Sequence, residues 1–112
     1  MVKYIPRRGD IIWLDFDPQK GREQSGRRPA LVLSRESYNA RSGLAIICPI
    51  TSKIKGYPFE IVIPVEICSI NGAILADQIG SFDWQGRNAT FADIVPTSFC
   101  DKVMQFVTML NS

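Results

Sequence analysis

Arg27 and Arg28 stand at the end of a basic, glycine-punctuated stretch, and their chemistry is the most informative in the chain. Residues 20–28 carry four cations, Lys20, Arg22, Arg27 and Arg28, against one carboxylate, Glu23. Gly21 and Gly26 permit the torsions of a turned loop. Pro29 then fixes φ and biases Arg28 towards an extended conformation, so Arg28 sits where a loop becomes a strand. A guanidinium on a rigid strand, overhung by a basic loop, suits a phosphate group, which it can meet with two parallel hydrogen bonds. The structural alternative is an ion pair with Asp15, Asp17 or Asp77. A second basic and aromatic stretch follows further on, with Lys53, Lys55 and Tyr57 around Gly56. Tyr57 there is a candidate stacking platform for a base. Thr51, just before this stretch, can cap a turn or turn its hydroxyl to an oxyanion. Arg87, between the turn formers Gly86 and Asn88, is a further cation at a rim.

Absences restrict the chemistry further. There is no histidine, which excludes imidazole acid–base catalysis, Ser-His and Cys-His nucleophile pairs and most transition-metal sites. Cys48, Cys68 and Cys100 are odd in number and widely spaced, so they suggest neither a disulfide framework nor a zinc site, and Cys48 reads as a core residue. No metal or other cofactor is expected. A formal charge of +2 over 112 residues permits nucleic-acid binding without arguing for it, so the electrostatic case rests on local clustering. With 46% apolar residues the chain fits an ordered, single-core domain over residues 1–112. Neither a signal peptide nor a membrane span is visible, and a cytoplasmic location is expected.

The elements that must position these side chains are mostly strands. Strands are expected over residues 11–16, 29–34, 44–50, 59–65 and 73–79, with Asn71-Gly72 as a hairpin turn before the last. Trp13 and Trp84 read as core or interface residues. Residues 35–42 suggest a single helical turn or an irregular loop, and residues 81–92 carry mixed signals. The final segment changes period: Phe99, Val103, Phe106, Val107 and Leu110 share one face of a helix. Ser98 with Asp101 reads as its capping box, and Pro96 marks its boundary. A small twisted barrel closed by one helix is expected, because closure protects the edges of many short strands.

Three runs, GDIIWLDFDPQKGREQSGRRPALVLS, CPITSKIKGYPFEIVI and GAILADQIGS, resemble the MazF/PemK toxins of type II toxin–antitoxin systems, in order and over nearly the whole chain. The resemblance implies a mainly β fold with one C-terminal α-helix, a small SH3-like β-barrel of the PemK/CcdB kind. It also implies a homodimeric, metal-independent endoribonuclease that cuts single-stranded RNA at short motifs and leaves cyclic-phosphate and 5′-hydroxyl ends. The implied partner is a MazE-like antitoxin whose acidic, extended tail occupies the RNA groove. DNA would be met only through that antitoxin. The family's catalytic arginine falls on Arg28, its threonine on Thr51 and its loop glutamate on Glu23. Lys20, Arg22, Arg27, Lys53, Lys55, Tyr57, Asp77, Gln78 and Arg87 are the candidate RNA-binding residues. Some members carry histidine where this chain has Arg27, which implies altered loop contacts rather than lost catalysis.

The chemistry is self-consistent. RNA brings its own nucleophile, the 2′-hydroxyl, so cleavage to a cyclic phosphate needs neither histidine nor metal. Arg28 can stabilise the phosphorane, with Thr51 donating to the same non-bridging oxygen. Arginine, with a pKa above about 12, is a poor base, which leaves Glu23 as the base candidate. Two rivals exist. One is a non-catalytic toxin barrel that grips a protein such as DNA gyrase; the other is an SH3-like module that binds RNA or peptide without chemistry.

Overall fold

The computed structural model describes residues 3–16 and 26–111. The expectations placed on Asp17, Lys20, Gly21, Arg22 and Glu23 lie outside the described residues. Within them run seven strands: β1 (Asp10–Phe16), β2 (Gly26–Val32), β3 (Ala45–Thr51), β4 (Glu60–Val62), β5 (Ala73–Leu75), β6 (Gly80–Phe82) and β7 (Thr90–Ile94). Helix α1 (Glu36–Ser42) follows β2, α2 (Thr97–Leu110) follows β7, and a 3-10 turn spans Ala76–Gln78. No helix among the described residues is long and apolar enough to cross a membrane.

The strands pair antiparallel in the order β4-β5-β3-β2-β1-β7, with β6 joining β3 off this path. The expected closed SH3-like barrel with one helix is therefore corrected. Among the described residues the sheet is open, its terminal strands β4 and β7 do not pair, and there are two helices. Edge protection comes by other means. β4 is only three residues long, and β7 pairs with β1 through a register shift at Ile11/Ile12.

Side-chain alternation along the strands divides the apolar residues between two faces. Ile11, Leu31, Leu33, Cys48 and Ile50 pack on one side with Phe99, Cys100, Val103 and Val107 of α2. Ile12, Leu14, Phe16, Ala30, Val32, Ala45 and Ile47 pack on the other around Trp84. The central strands read as nearly continuous apolar runs because both their faces are buried.

Proline shapes the sheet. β3 uses one edge for two partners, Ala45–Ile47 with β6 and Ile50–Thr51 with β5. Pro49 falls in the gap between them, where a missing N–H leaves no donor unpaired. Pro29 has the same role in β2. It lies opposite Trp13 of β1, but pairing with β3 begins only at Ala30. Beyond that point β2 and β3 part.

Several local expectations change. α1 is a full helix closed by Gly43 in the left-handed region (φ 74), whose N–H reaches the Asn39 carbonyl. It shows no apolar stripe because its one buried residue is Asn39. That side chain donates to the Pro6 and Ser34 carbonyls at 2.8 and 3.1 Å, and Trp84 Nε1 donates to its backbone carbonyl at 3.0 Å. Residues 81–92 supply β6, β7 and this buried Trp84. Asn71-Gly72 is not a two-residue hairpin turn; it ends a longer connection between β4 and β5, closed by Ile63 N–H on the Gly72 carbonyl at 2.9 Å. Ser98 does not cap α2. The helix starts at Thr97 after Pro96 without a side-chain cap, and Asp101 pairs with Arg8 at 2.6 Å.

Candidate nucleic-acid interface and active site

The last paired positions of β2 and β3 are Ala30 and Pro49. Continuing that register two steps past the last pair sets Arg28 against Thr51. The β2–β3 ladder has ended by then. Arg28 faces Leu14 across β1, and Leu14 belongs to the Trp84 side of the sheet. Alternation places Thr51 on that same side, since Ala45 and Ile47 point there. Thr51 is 7% exposed, and its Oγ1 accepts the Lys53 N–H at 3.1 Å, the turn role its residue type allows. The hydroxyl proton is still available for donation.

A cleft of about 300 Å³ opens at this parting of the strands, lined by Trp13, Arg27, Arg28, Pro29, Ile50, Ser52, Ser69, Ile70 and Asn71. Thr51 is not in its lining, but both its neighbours are. Trp13, expected in the core or at an interface, is not a core residue. It is 37% exposed in an otherwise buried strand, and it presents an aromatic surface beside two arginines. Ser69 and Ile70 were not singled out by sequence, and Asn71 only as a turn former, because they lie in a connection without periodicity and meet the arginines only in the folded sheet. A hollow of about 350 Å³ on α1, lined by Ser37, Tyr38, Arg41 and Ser42, draws on one helix alone and contains no carboxylate to act as a base.

Arg27 is held in place. Its guanidinium donates to Asp15 at 2.8 Å, to the Asn88 carbonyl at 2.9 Å and to Thr90 Oγ1 at 3.0 Å. Asn88 Nδ2 donates to the other Asp15 oxygen at 2.8 Å, from a backbone at φ 57. The bonds from Asn88 and then Arg27 hold the Asp15 carboxyl below its usual range. Asp15, named as an ion-pair partner for Arg28, thus serves Arg27. Arg87 donates to the Asp15 carbonyl at 3.2 Å and lies over the Phe82 ring at 5.0 Å, so it braces the end of β1.

The second basic stretch is exposed at Lys53, Lys55 and Tyr57, with the Tyr57 ring 5.2 Å from that of Phe59. Glu60 organises it by accepting the Gly56 N–H at 2.8 Å and the Lys55 N–H at 3.1 Å. Asp77 and Gln78 lie on the 3-10 turn after β5. Burial, and then the charge of Glu60, push the Asp77 carboxyl above its usual range against a lowering backbone bond. Cys48 is buried, and its thiol is pushed up to about 12 by burial and by Asp77. Among the described residues, no group of three or more His, Cys, Asp or Glu could hold a metal ion.

Comparison with known proteins identifies the family. The chain is 49% identical to the endoribonuclease toxin MazF of Escherichia coli K12 over 79% of its own length and 78% of that protein's. It superposes on the crystal structure of MazF from Deinococcus radiodurans with a TM-score of 0.89 at 42% identity, covering 98% of this chain and 100% of that one. On a MazE–MazF crystal structure from the same organism it scores 0.85 at 44% identity, covering 96% of each chain. Residues 7–109 match a single family, described as PemK-like, MazF-like toxin of type II toxin–antitoxin system. The fold, the basic cleft and these likenesses together make the chain a member of the PemK-like, MazF-like toxin family.

Proposed function

We propose that the protein is a metal-independent endoribonuclease that cuts single-stranded RNA at short motifs by attack of the 2′-hydroxyl, arresting translation and growth. The observation that carries this reading is the parting of β2 and β3 beyond Ala30 and Pro49, where register and alternation bring Arg28 and Thr51 to the Trp84 side of the sheet and a cleft lined by Trp13, Arg27 and Ile50 opens towards the α2 side. Glu23 takes the 2′-hydroxyl proton as the 2′-oxygen bonds to phosphorus. Arg28 neutralises the developing phosphorane and supplies a proton as the bond to the 5′-oxygen breaks. Thr51 donates to a non-bridging oxygen. The products are a 2′,3′-cyclic phosphate and a 5′-hydroxyl.

Lys20, Arg22, Arg27, Lys53 and Lys55 neutralise the RNA backbone, and Tyr57 stacks on a base. Asp77, Gln78 and Arg87 meet base edges or the rim of the groove. The protein acts in the cytoplasm as a homodimer, which covers apolar side chains left exposed on the single chain, Met109 and Leu110 at the end of α2 among them. A MazE-like antitoxin with an acidic tail silences it by competing for the basic groove.

Incubation of a long unstructured RNA in EDTA, with cut sites and end groups mapped, tests the reading. Discrete cuts with cyclic-phosphate ends, lost in Arg28→Ala and at sites carrying a 2′-deoxyribose, are expected. No cleavage of varied RNAs by folded, antitoxin-free protein would overturn it and turn attention to a protein target. Glu23→Gln is expected to lower the rate and to remove the acidic limb of its pH profile. An unchanged profile would exclude Glu23 as the base.

A further inference from the structure

The cleft has two walls of different construction. One is sheet: Trp13 on β1 with Arg27, Arg28 and Pro29 on β2, in continuous register. The other is Ser69, Ile70 and Asn71, in the connection between β4 and β5, which has no ladder of its own. Ile67, Cys68 and Ile70 rest against the core beneath α2, and this apolar packing fixes depth better than lateral position. Directional bonds supply the lateral position. Asp93 Oδ2 accepts both the Ser69 N–H, at 2.7 Å, and the Ser69 hydroxyl, at 2.6 Å. Asp93 Oδ1 accepts the N–H of Ile94 at 2.7 Å, which fixes the carboxylate itself. These bonds hold the Asp93 carboxyl below its usual range, led by the Ser69 hydroxyl.

Asp93 lies on β7 opposite Ile11, and Ile11 is two residues from Trp13 on β1. The carboxylate therefore ties the irregular wall to the strand pair that carries the regular one. We infer that Asp93 is a positioning residue that sets the width of this cleft through Ser69, and thereby which base fits between Trp13 and Asn71. The inference rests on the proposed RNA-cutting function and goes beyond it, since no reacting atom touches Asp93.

The test combines cleavage with binding. Affinity is measured by fluorescence anisotropy on a labelled single-stranded RNA with 2′-O-methyl riboses, which cannot be cut, and on versions with single base changes. Asp93→Ala is expected to weaken binding and raise KM about tenfold with little change in kcat, and to blur discrimination between the base-changed RNAs. Ser69→Ala, which keeps the backbone bond, should fall between Asp93→Ala and wild type. Asp101→Ala, which removes the remote Arg8 pair, should match wild type.

A folded Asp93→Ala protein whose affinity and base discrimination stay within about twofold of wild type would overturn the inference, even with a lowered Tm. Should Asp93→Ala fail to fold, Ser69→Ala decides, and wild-type behaviour there overturns it. Wild-type protein that binds the RNA but cuts none sinks the ribonuclease reading alone, and Asp93 is then judged on binding.

Discussion

Arg27 and Arg28 are adjacent in sequence and of one type, yet they differ in surroundings. Arg27 is tied down by Asp15, Asn88 and Thr90, whereas Arg28 lines the cleft where β2 and β3 part. Under the proposed mechanism the two should separate in kinetics. Arg28→Lys keeps a charge but loses the planar fork, and cleavage should fall about 100-fold or more with Tm unchanged. Arg27→Ala should act mainly on KM, and its exposed ion pair should cost no more than about 1 kcal/mol of stability. Single-turnover cleavage with thermal melts of both variants checks this. Equal losses in kcat for the two arginines would remove the distinction.

Among the elements, the connection between β4 and β5 and helix α1 depend on single residues. Gly72 adopts φ 140, and a Cβ built there would overlap the carbonyl oxygen of Thr51. Gly72→Ala should therefore cost about 3 kcal/mol, read as a fall in Tm of roughly 10 °C, and should lower cleavage through Thr51. Asn39 joins α1, the segment before β1 and Trp84 in one buried network. Asn39→Ala should cost about 2–4 kcal/mol by leaving the Pro6 and Ser34 carbonyls unpaired, with kcat of the folded fraction unchanged. Urea titration reads the first quantity and active-site-normalised kinetics the second. The Gly72 turn was legible as a glycine position, but its partner strand was not, because Thr51 lies 21 positions away in sequence. α1 was hidden for a related reason: its inward residue is an amide, and hydrophobic periodicity cannot register a helix anchored by hydrogen bonds.

For the whole molecule, pH dependence follows from three carboxylates and from a missing residue type. Asp15 and Asp93 titrate below their unfolded range, so their stabilising contribution is complete above about pH 4 and is lost as pH falls through the folded values. Asp77 titrates above its unfolded range, so its contribution is present at low pH and fades as pH rises through its folded value, partly offsetting the other two. With no histidine, stability should be level from pH 6 to pH 8 to within about 1 kcal/mol. Circular-dichroism melts across pH check both limbs. Asp15→Asn should flatten the acid limb and Asp77→Asn should steepen it. A marked step near pH 6.5 would contradict the account.

The sequence by itself determined the strand positions of the core, the C-terminal helix, the absence of imidazole chemistry and the two basic stretches. These rest on local quantities: side-chain period, proline and glycine torsions, and charge counted along the chain. Tertiary structure decided the rest. It left the sheet open, because short and irregular edges removed the need for closure. It exposed Trp13 and gave Asp15 to Arg27, because strand register selects which faces meet. It also joined Ser69 to Asp93, a contact between residues 24 positions apart that no local pattern encodes.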